Sequence, residues 1–517
     1  MLIHDFLIKA NKLYPEYEAI VCGDIRLKYR EVYNRVVKLA SYLQSKGIKK
    51  GDVISIMHFN CHYYFEAYYA ASLCGAILNS INIRLSSNEI KYILENSTSK
   101  LLIANQRYIK QLKPIKNILS QIIWTSSEDT DLGGDYIENI LNDNYPNFTP
   151  VEIKDTDIAH LYYTSGTTGK PKGVMLTHKN VTTHAICAIA EFNITDRDNW
   201  LHAAPMFHLA DAWSTFAFTA VGAKHTMVAD FKEEKVLSLI ENEKVTISNM
   251  IPTMLNMLIN YPEMENFNLS SLRVILSGGA PIAPELVREI IKKFGCDYIQ
   301  TYGMTETSPY LTVSILKKHL ETLPYEEQLN FKAKTGREFL GVSLKVVNNE
   351  GEEVEKNDKE VGEIIVKGDI VTPGYWKNEE ETKKAFTEDG WLKTGDLATV
   401  DKENYVNIVD RKKDMIVTGG ENVYSTEVEY VIYEHPAVLE VAVIGVPHEK
   451  WGEAVKAVVV LKPNMEATEE DIIKFVKSKI ASYKAPKSVD FVDSLPKTGS
   501  GKITKIPLRE KYLKNSK

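Results

Sequence analysis

Apolar positions along this chain follow two rhythms in succession. In the first half, short apolar runs such as DVISIMHF (52–59) and SKLLIAN (99–105) flank a longer one, YYFEAYYAASLCGAIL (63–78). Short runs bounded by polar residues fit buried strands, while the longer run fits a buried helix. The alternation returns with KVTISNM (244–250), a helical stretch around Met254 to Ile259, and LRVILSGG (272–279). Strand and helix patterns in turn predict α/β layers with largely parallel sheets.

After about residue 335 the texture shifts to short alternating strands with turn signals: GVSLKVVN, VGEIIVKG, EDGWLKTGD and NYVNIVD. These predict a meander or small barrel. The acidic run EGEEVEKNDKE (350–360) fits a solvated hairpin. From about Asp414 a third pattern begins. VAVIGV and AVKAVVVL read as strands, and TEEDIIKFVKSKI as a helix with Thr468 three residues before Asp471, like a capping box. The last hundred or so residues thus read as a separate small α+β domain. There is no internal repeat and no low-complexity tract.

Length and composition add bounds. A chain of 517 residues exceeds the usual single-domain size, and 44% hydrophobic with 25% charged residues is ordinary for a globular protein. A net charge of −7 argues against general affinity for nucleic acid. Cys22, Cys61, Cys74, Cys187 and Cys296 are scattered without CxxC pairing, which fits reduced core thiols of a cytoplasmic protein. The N-terminus lacks the basic start and apolar core of a secretory signal, and the 63–78 run carries Glu66 and is too short to span a membrane.

The stretch YYTSGTTGKPKG (162–173) is the strongest chemical signal. A Walker loop requires GxxxxGK and then Ser or Thr. Here Gly166 and Gly169 are too close, and Pro171 stands where the magnesium-binding hydroxyl belongs. The segment still suits anions: Gly166 and Gly169 let successive N–H groups converge, Thr164, Ser165, Thr167 and Thr168 add hydroxyls, and Lys170 and Lys172 add charge. Taken alone, the anion-binding reading is favoured over a plain Gly/Thr-rich surface turn, which stays open.

Further blocks follow in order: SGGAP (277–281), QTYGMTET (300–307), GWLKTGD (390–396), VDRKKDMIVTGGEN (409–422) and PKTGSGK (496–502). With the loop, they resemble the adenylate-forming superfamily, which includes acyl-CoA synthetases, peptide-synthetase adenylation domains and firefly-type luciferases. The resemblance implies a large N-terminal AMP-binding domain (1–410) of layered α/β subdomains plus a β-barrel-like piece, a hinge at 411–413, and a mobile α+β C-terminal domain (414–517). It places the active site in the cleft between the two domains. It also implies two half-reactions. A carboxylate attacks the α-phosphorus of MgATP and releases pyrophosphate, then a thiol displaces AMP from the acyl-adenylate.

On this resemblance, Thr164, Ser165, Gly166, Thr167, Thr168, Gly169 and Lys170 cover the departing phosphates. Glu306 is the magnesium carboxylate, with Thr164 as a second contact. Tyr302 faces adenine, Gly279, Ala280 and Pro281 let the nucleotide lie close to backbone, and Gln300, Thr301, Gly303 and Thr305 belong to the same nucleotide block. Asp396 grips the ribose with support from Arg411. Lys502 spans the carboxylate and α-phosphate, where preorganised charge stabilises the transition state. Lys413 is the hinge, and Gly419 and Gly420 line a narrow pantetheine tunnel.

The block APMFHLADAW (204–213) falls at the acyl-pocket position. Amino-acid-activating relatives carry an aspartate after the Phe, whereas this chain has His208, which disfavours an α-amino acid. PMFH with Trp213 is similar to fatty acyl-CoA synthetases, where the His lies near the carboxylate. Two readings of Asp211 stay open: a solvent-facing residue, or a group that binds a polar substituent of the acid. The expected reaction is ATP-dependent acid–CoA ligation of a medium- to long-chain fatty acid, with Mg2+ and CoA. Alternatives are a carrier-loading acyl-AMP ligase, an aromatic or alicyclic acid ligase, a luciferase-like oxygenase and a non-catalytic nucleotide-binding paralogue. The expected partners are the acid, ATP and CoA, with no nucleic acid and no transmembrane segment; peripheral membrane contact and a homodimer are both compatible with the sequence.

Overall fold

The computed structural model of the protein describes residues 1–119, 121–126, 132–143, 145, 147–164, 170–280, 282–497 and 503–514. The chain divides into two compact units: Met1–Ser343 with Val366–Leu392, and Leu344–Ile365 with Lys393–Lys517.

The first unit carries two sheets. In one, the strands run in the order Asp135–Tyr136, Ile122–Trp124, Leu101–Ala104, Val53–Met57, Ile77–Ser80, Ile158–Thr164 and Lys172–Thr177, all parallel except the closing hairpin. In the other, Asp297–Gly303, Val274–Gly278, Ile247–Asn249, Asn199–His202, Lys224–Met227 and Glu18–Cys22 lie parallel in that order. Antiparallel strands Tyr310–Val313 and Ile25–Lys28 flank them. The predicted parallel α/β layers are therefore present, and strands occur within each predicted run.

One boundary differs. The helix expected over 63–78 covers His62–Cys74, and Ile77–Ser80 is a strand. Gly75 takes a left-handed φ of 65° and closes the helix. The chain then pairs in parallel with Val53–Met57, so the apolar run serves two elements. Nearly every residue of His62–Cys74 is buried, which explains why the run has no polar stripe. Beside the second sheet, Val236, Leu237, Ile240, Leu255, Leu258 and Ile290 are buried in one cluster. Each such side chain contributes about 1.5–3 kcal/mol on leaving water.

Further along the chain, Val342–Val347, Gly362–Gly368, Leu392–Val400 and Tyr405–Arg411 succeed one another in the sheet, the predicted meander. The C-terminal part has a sheet in which Val438–His448 and Gly452–Leu461 form a long antiparallel pair. Ser488–Phe491 and Ile416–Thr418 lie beside Gly452–Leu461. Helix Glu469–Lys479 begins at Thr468, whose hydroxyl accepts from Asp471 N at 3.2 Å while the Asp471 carboxylate accepts from Thr468 N at 3.0 Å. The five cysteines are free thiols, four of them buried.

Candidate active site

The ends of the stretch YYTSGTTGKPKG lie on the paired strands Ile158–Thr164 and Lys172–Thr177, whose last pair is Thr164 with Lys172. Ser165–Gly169, together with Pro281 and Lys502, lie outside the described residues. Lys170 Nζ sits 5.8 Å from the Tyr92 ring centroid. Lys172 turns the other way, pairing with Glu381 and lying 5.3 Å from the Tyr375 ring centroid.

The strands Val274–Gly278 and Asp297–Gly303 end side by side, and the blocks SGGAP and QTYGMTET lie at those ends. Carboxyl ends of parallel strands are where open α/β sheets commonly bind ligands. Gly279 has φ 87°, a left-handed turn that directs the chain away from the sheet. Gln300 Nε2 donates to Ala280 O at 2.9 Å and Thr301 Oγ1 to Ser277 O at 3.0 Å, so side chains of one block hold the backbone of the other. A Cβ at Gly303 would fall 1.9 Å from Pro309 O, which leaves glycine alone there. Tyr302 stays partly exposed between these fixed neighbours.

Glu306 follows in the short helix Thr305–Thr307 and is only 6% exposed. Its Oε1 accepts from Tyr375 Oη at 2.9 Å, and its backbone O accepts from Thr372 N at 2.8 Å. Among the described residues no group of three or more His, Cys, Asp and Glu could cage a metal ion. A single fixed carboxylate suits Mg2+, which prefers oxygen ligands and takes the rest from phosphates and water.

His208 caps the helix Leu209–Val221, and its ring lies 4.6 Å from that of Phe207. Trp213 is 1% exposed, packed edge-on to Trp200, His184 and Tyr310. The solvent-facing reading of Asp211 is overturned: it is fully buried. Its Oδ2 lies 2.6 Å from His202 Nδ1, and its Oδ1 accepts from Trp200 Nε1 at 3.2 Å. The relay continues from His202 Nε2 to His225 Nδ1 at 3.0 Å and from His225 Nε2 to Thr219 Oγ1 at 3.1 Å. Burial raises the Asp211 carboxyl despite His202 and pushes His225 well below its usual range. A helix-periodic reading could not find this, because the partners come from three separate segments. Beside the same strand end is a cavity of about 300 Å³ lined by Phe59, Arg84, Arg107, Pro205, Phe207 and Met254 among others. Asp230 lies in the same wall and pairs with Arg107 at 2.9 Å, so the lining is apolar with one arginine already neutralised.

In the second unit, Asp396 and Arg411 stand opposite each other in an antiparallel pair, with Arg411 Nε 3.1 Å from Asp396 Oδ1. The carboxylate is nearly buried and the guanidinium 60% exposed. Asp410 points inward and accepts from Ser425 N and Oγ, while Arg509 donates to Lys413 O at 2.8 Å and pairs with Asp414 at 2.9 Å. Burial and the neighbouring Arg411 lower the Lys413 ammonium. Gly419 and Gly420, with φ 61° and 87°, form the turn between Ile416–Thr418 and Glu421–Val423. Positive φ at both positions favours glycine for the backbone alone.

Comparison with known proteins adds the family. The pattern of the AMP-binding enzyme family matches residues 7–376. The chain belongs to that family. The pattern of the AMP-binding enzyme C-terminal domain matches residues 427–502. The Thermus thermophilus long-chain-fatty-acid–CoA ligase is 35% identical, covering 98% of this chain and 95% of that protein. A feruloyl-CoA synthase from Amycolatopsis sp is 34% identical over 98% of both chains. The solved anthranilate CoA ligase AuaEII in complex with anthranoyl-AMP is 25% identical with a TM-score of 0.90, covering 100% of this chain and 98% of that one. This AMP-binding enzyme is accordingly an acid–thiol ligase of the adenylate-forming superfamily. It joins an acyl or aryl acid to CoA through an adenylate, with ATP and Mg2+. No helix among the described residues is long and apolar enough to cross a membrane.

Proposed function

We propose that the acid is a medium- to long-chain fatty acid. The observation that carries this is the state of the carboxylate next to His208. Amino-acid-activating relatives use an aspartate for the substrate ammonium; here His208 stands at that position, and Asp211 is buried against His202 and Trp200. A buried charge already paired is costly to re-expose or reassign. Apolar Phe207 and Met254 at the adjacent cavity, together with the resemblance to a long-chain ligase, favour an aliphatic tail. An aromatic acid is the second reading, favoured by the resemblance to the feruloyl and anthranilate enzymes.

In the proposed division of labour, the loop Thr164–Lys170 receives the β and γ phosphates. Tyr302 and the Gly279–Pro281 turn receive adenine, with Gln300, Thr301, Gly303 and Thr305 shaping that block. Asp396 with Arg411 holds the ribose. Glu306, with Thr164, holds Mg2+, which supplies charge neutralisation at the phosphates. Lys502 is the catalytic cation of adenylation, and His208 lies at the acid's carboxylate, with Trp213 forming the wall behind it. Residues 1–410 form the adenylation domain and 414–517 a domain that turns about Lys413 to bring Gly419 and Gly420 to the pantetheine arm. The thiol acceptor is free CoA. The test is pyrophosphate release across short, long, aromatic and alicyclic acids, with and without CoA. CoA-dependent turnover that peaks on fatty acids of medium to long chain is expected; a peak on aromatic acids, or indifference to CoA, would overturn the corresponding assignment.

A further inference from the structure

We propose that Tyr375 is the positioning residue of the magnesium carboxylate, holding Glu306 through its hydroxyl and tying it to the base of the phosphate loop. This rests on the reading of Glu306 as a magnesium ligand. Tyr375 belongs to neither motif block, and its place is set by backbone pairing. Thr372–Trp376 lies along the outer edge of Lys172–Thr177: Met175 N donates to Gly374 O at 3.1 Å, Trp376 N to Gly173 O at 2.7 Å, and Val174 and Tyr375 form an antiparallel bridge. The strand that returns from the phosphate loop is thus the strand on which Tyr375 is mounted.

The segment grips Glu306 twice, through Thr372 N on its carbonyl and Tyr375 Oη on Oε1 at 2.9 Å. The ring is braced in turn. Lys172 lies 5.3 Å from its centroid and is itself held by Glu381. Tyr375 N donates to Thr382 Oγ1 at 2.9 Å, from the same helix that carries Glu381. A carboxylate with one oxygen fixed by a donor cannot rotate freely, so its other oxygen is presented in one direction. Hydrogen bonds of this kind to a ligating group set its orientation and basicity, and their loss typically costs about 10- to 100-fold in metal affinity. Lys172, on one strand with the loop, and Glu306, after the adenine block, are thereby joined through one aromatic ring. Displacement of the loop base would be felt at the carboxylate.

The experiment is Mn2+ binding followed by electron paramagnetic resonance on the full chain with an ATP analogue that cannot be cleaved between the α and β phosphates. Wild type, Tyr375→Phe, Glu306→Gln and the double variant are compared. Tyr375→Phe keeps the ring and removes only the hydroxyl. It should weaken Mn2+ on the order of 10-fold and raise the Mg2+ needed for half-maximal turnover, while turnover at saturating Mg2+ recovers. Glu306→Gln should weaken Mn2+ at least as much, and the double variant no further, since both changes act on one contact. If Glu306→Gln binds Mn2+ like wild type, the magnesium reading itself fails. If Glu306→Gln weakens binding and Tyr375→Phe does not, or if the two effects add, the positioning role is overturned.

Discussion

Mild acid should destabilise the first unit, and the amount follows from its buried histidines. His58, His62, His160, His178 and His184 are each less than a tenth exposed. Burial holds His58 and His178 at about 4, and His62, His160 and His184 at about 3. In the unfolded chain an imidazole takes up its proton near 6.5. Between that value and the folded one, the unfolded state binds more protons, so stability rises with pH and is lost on acidification. From about pH 7.5 to about 5.5 each histidine costs roughly 1.4 kcal/mol, together roughly 7. Glu66 opposes them. Burial raises its carboxyl to about 7 despite the Arg35 guanidinium. Its folded state takes the proton first, so its contribution is present at low pH and fades as pH rises through about 7. Over the same interval it returns roughly 2 kcal/mol. For these six groups the net expectation is a loss of about 5 kcal/mol, a large share of a typical domain's stability; His225 adds to it in the same direction and the raised Asp211 carboxyl opposes it. The assay is urea unfolding at constant ionic strength, read from tryptophan fluorescence. His160, stacked on Phe216 at 5.3 Å with no partner for either ring nitrogen among the described residues, supplies the control. His160→Phe should reduce the acid loss by about one histidine's share. Equal stability at both pH values would refute the reasoning, as would an undiminished loss in His160→Phe.

Three further outcomes are expected. Lys502→Ala should nearly abolish adenylate formation while sparing thioester formation from added acyl-AMP; equal loss in both half-reactions contradicts its role. Lys413→Pro, which locks φ, should impair thioester formation more than adenylation, and the opposite bias would remove Lys413 as the hinge. Asp211→Leu removes the buried partner of His202 and Trp200, so it should lower unfolding free energy by about 1–3 kcal/mol for each group left without one. A denaturant midpoint matching wild type would show that the relay carries no stability.

The linear pattern determined a good deal. The runs at 52–59, 99–105 and 272–279 contain strands because short buried strands need only local apolar content, and Thr468 with Asp471 starts a helix because both groups of that cap lie within one turn. Motif order was enough for the resemblance to the adenylate-forming family, and the structure adds a backbone reason for two of its glycines: positive φ at Gly279, and no room for a side chain at Gly303. Only the tertiary structure decided what Asp211 and Tyr375 do. Asp211 meets His202 across 9 residues, and Tyr375 meets Glu306 across 69. A hydrogen bond depends on positions in space, and the spacing of two residues along a chain says nothing about them once sheets and crossovers intervene. Glu66 shows the same limit from the other side: a charge in an apolar run excluded a membrane span by composition, but that it meets Arg35 and titrates near 7 follows only from how two helices pack.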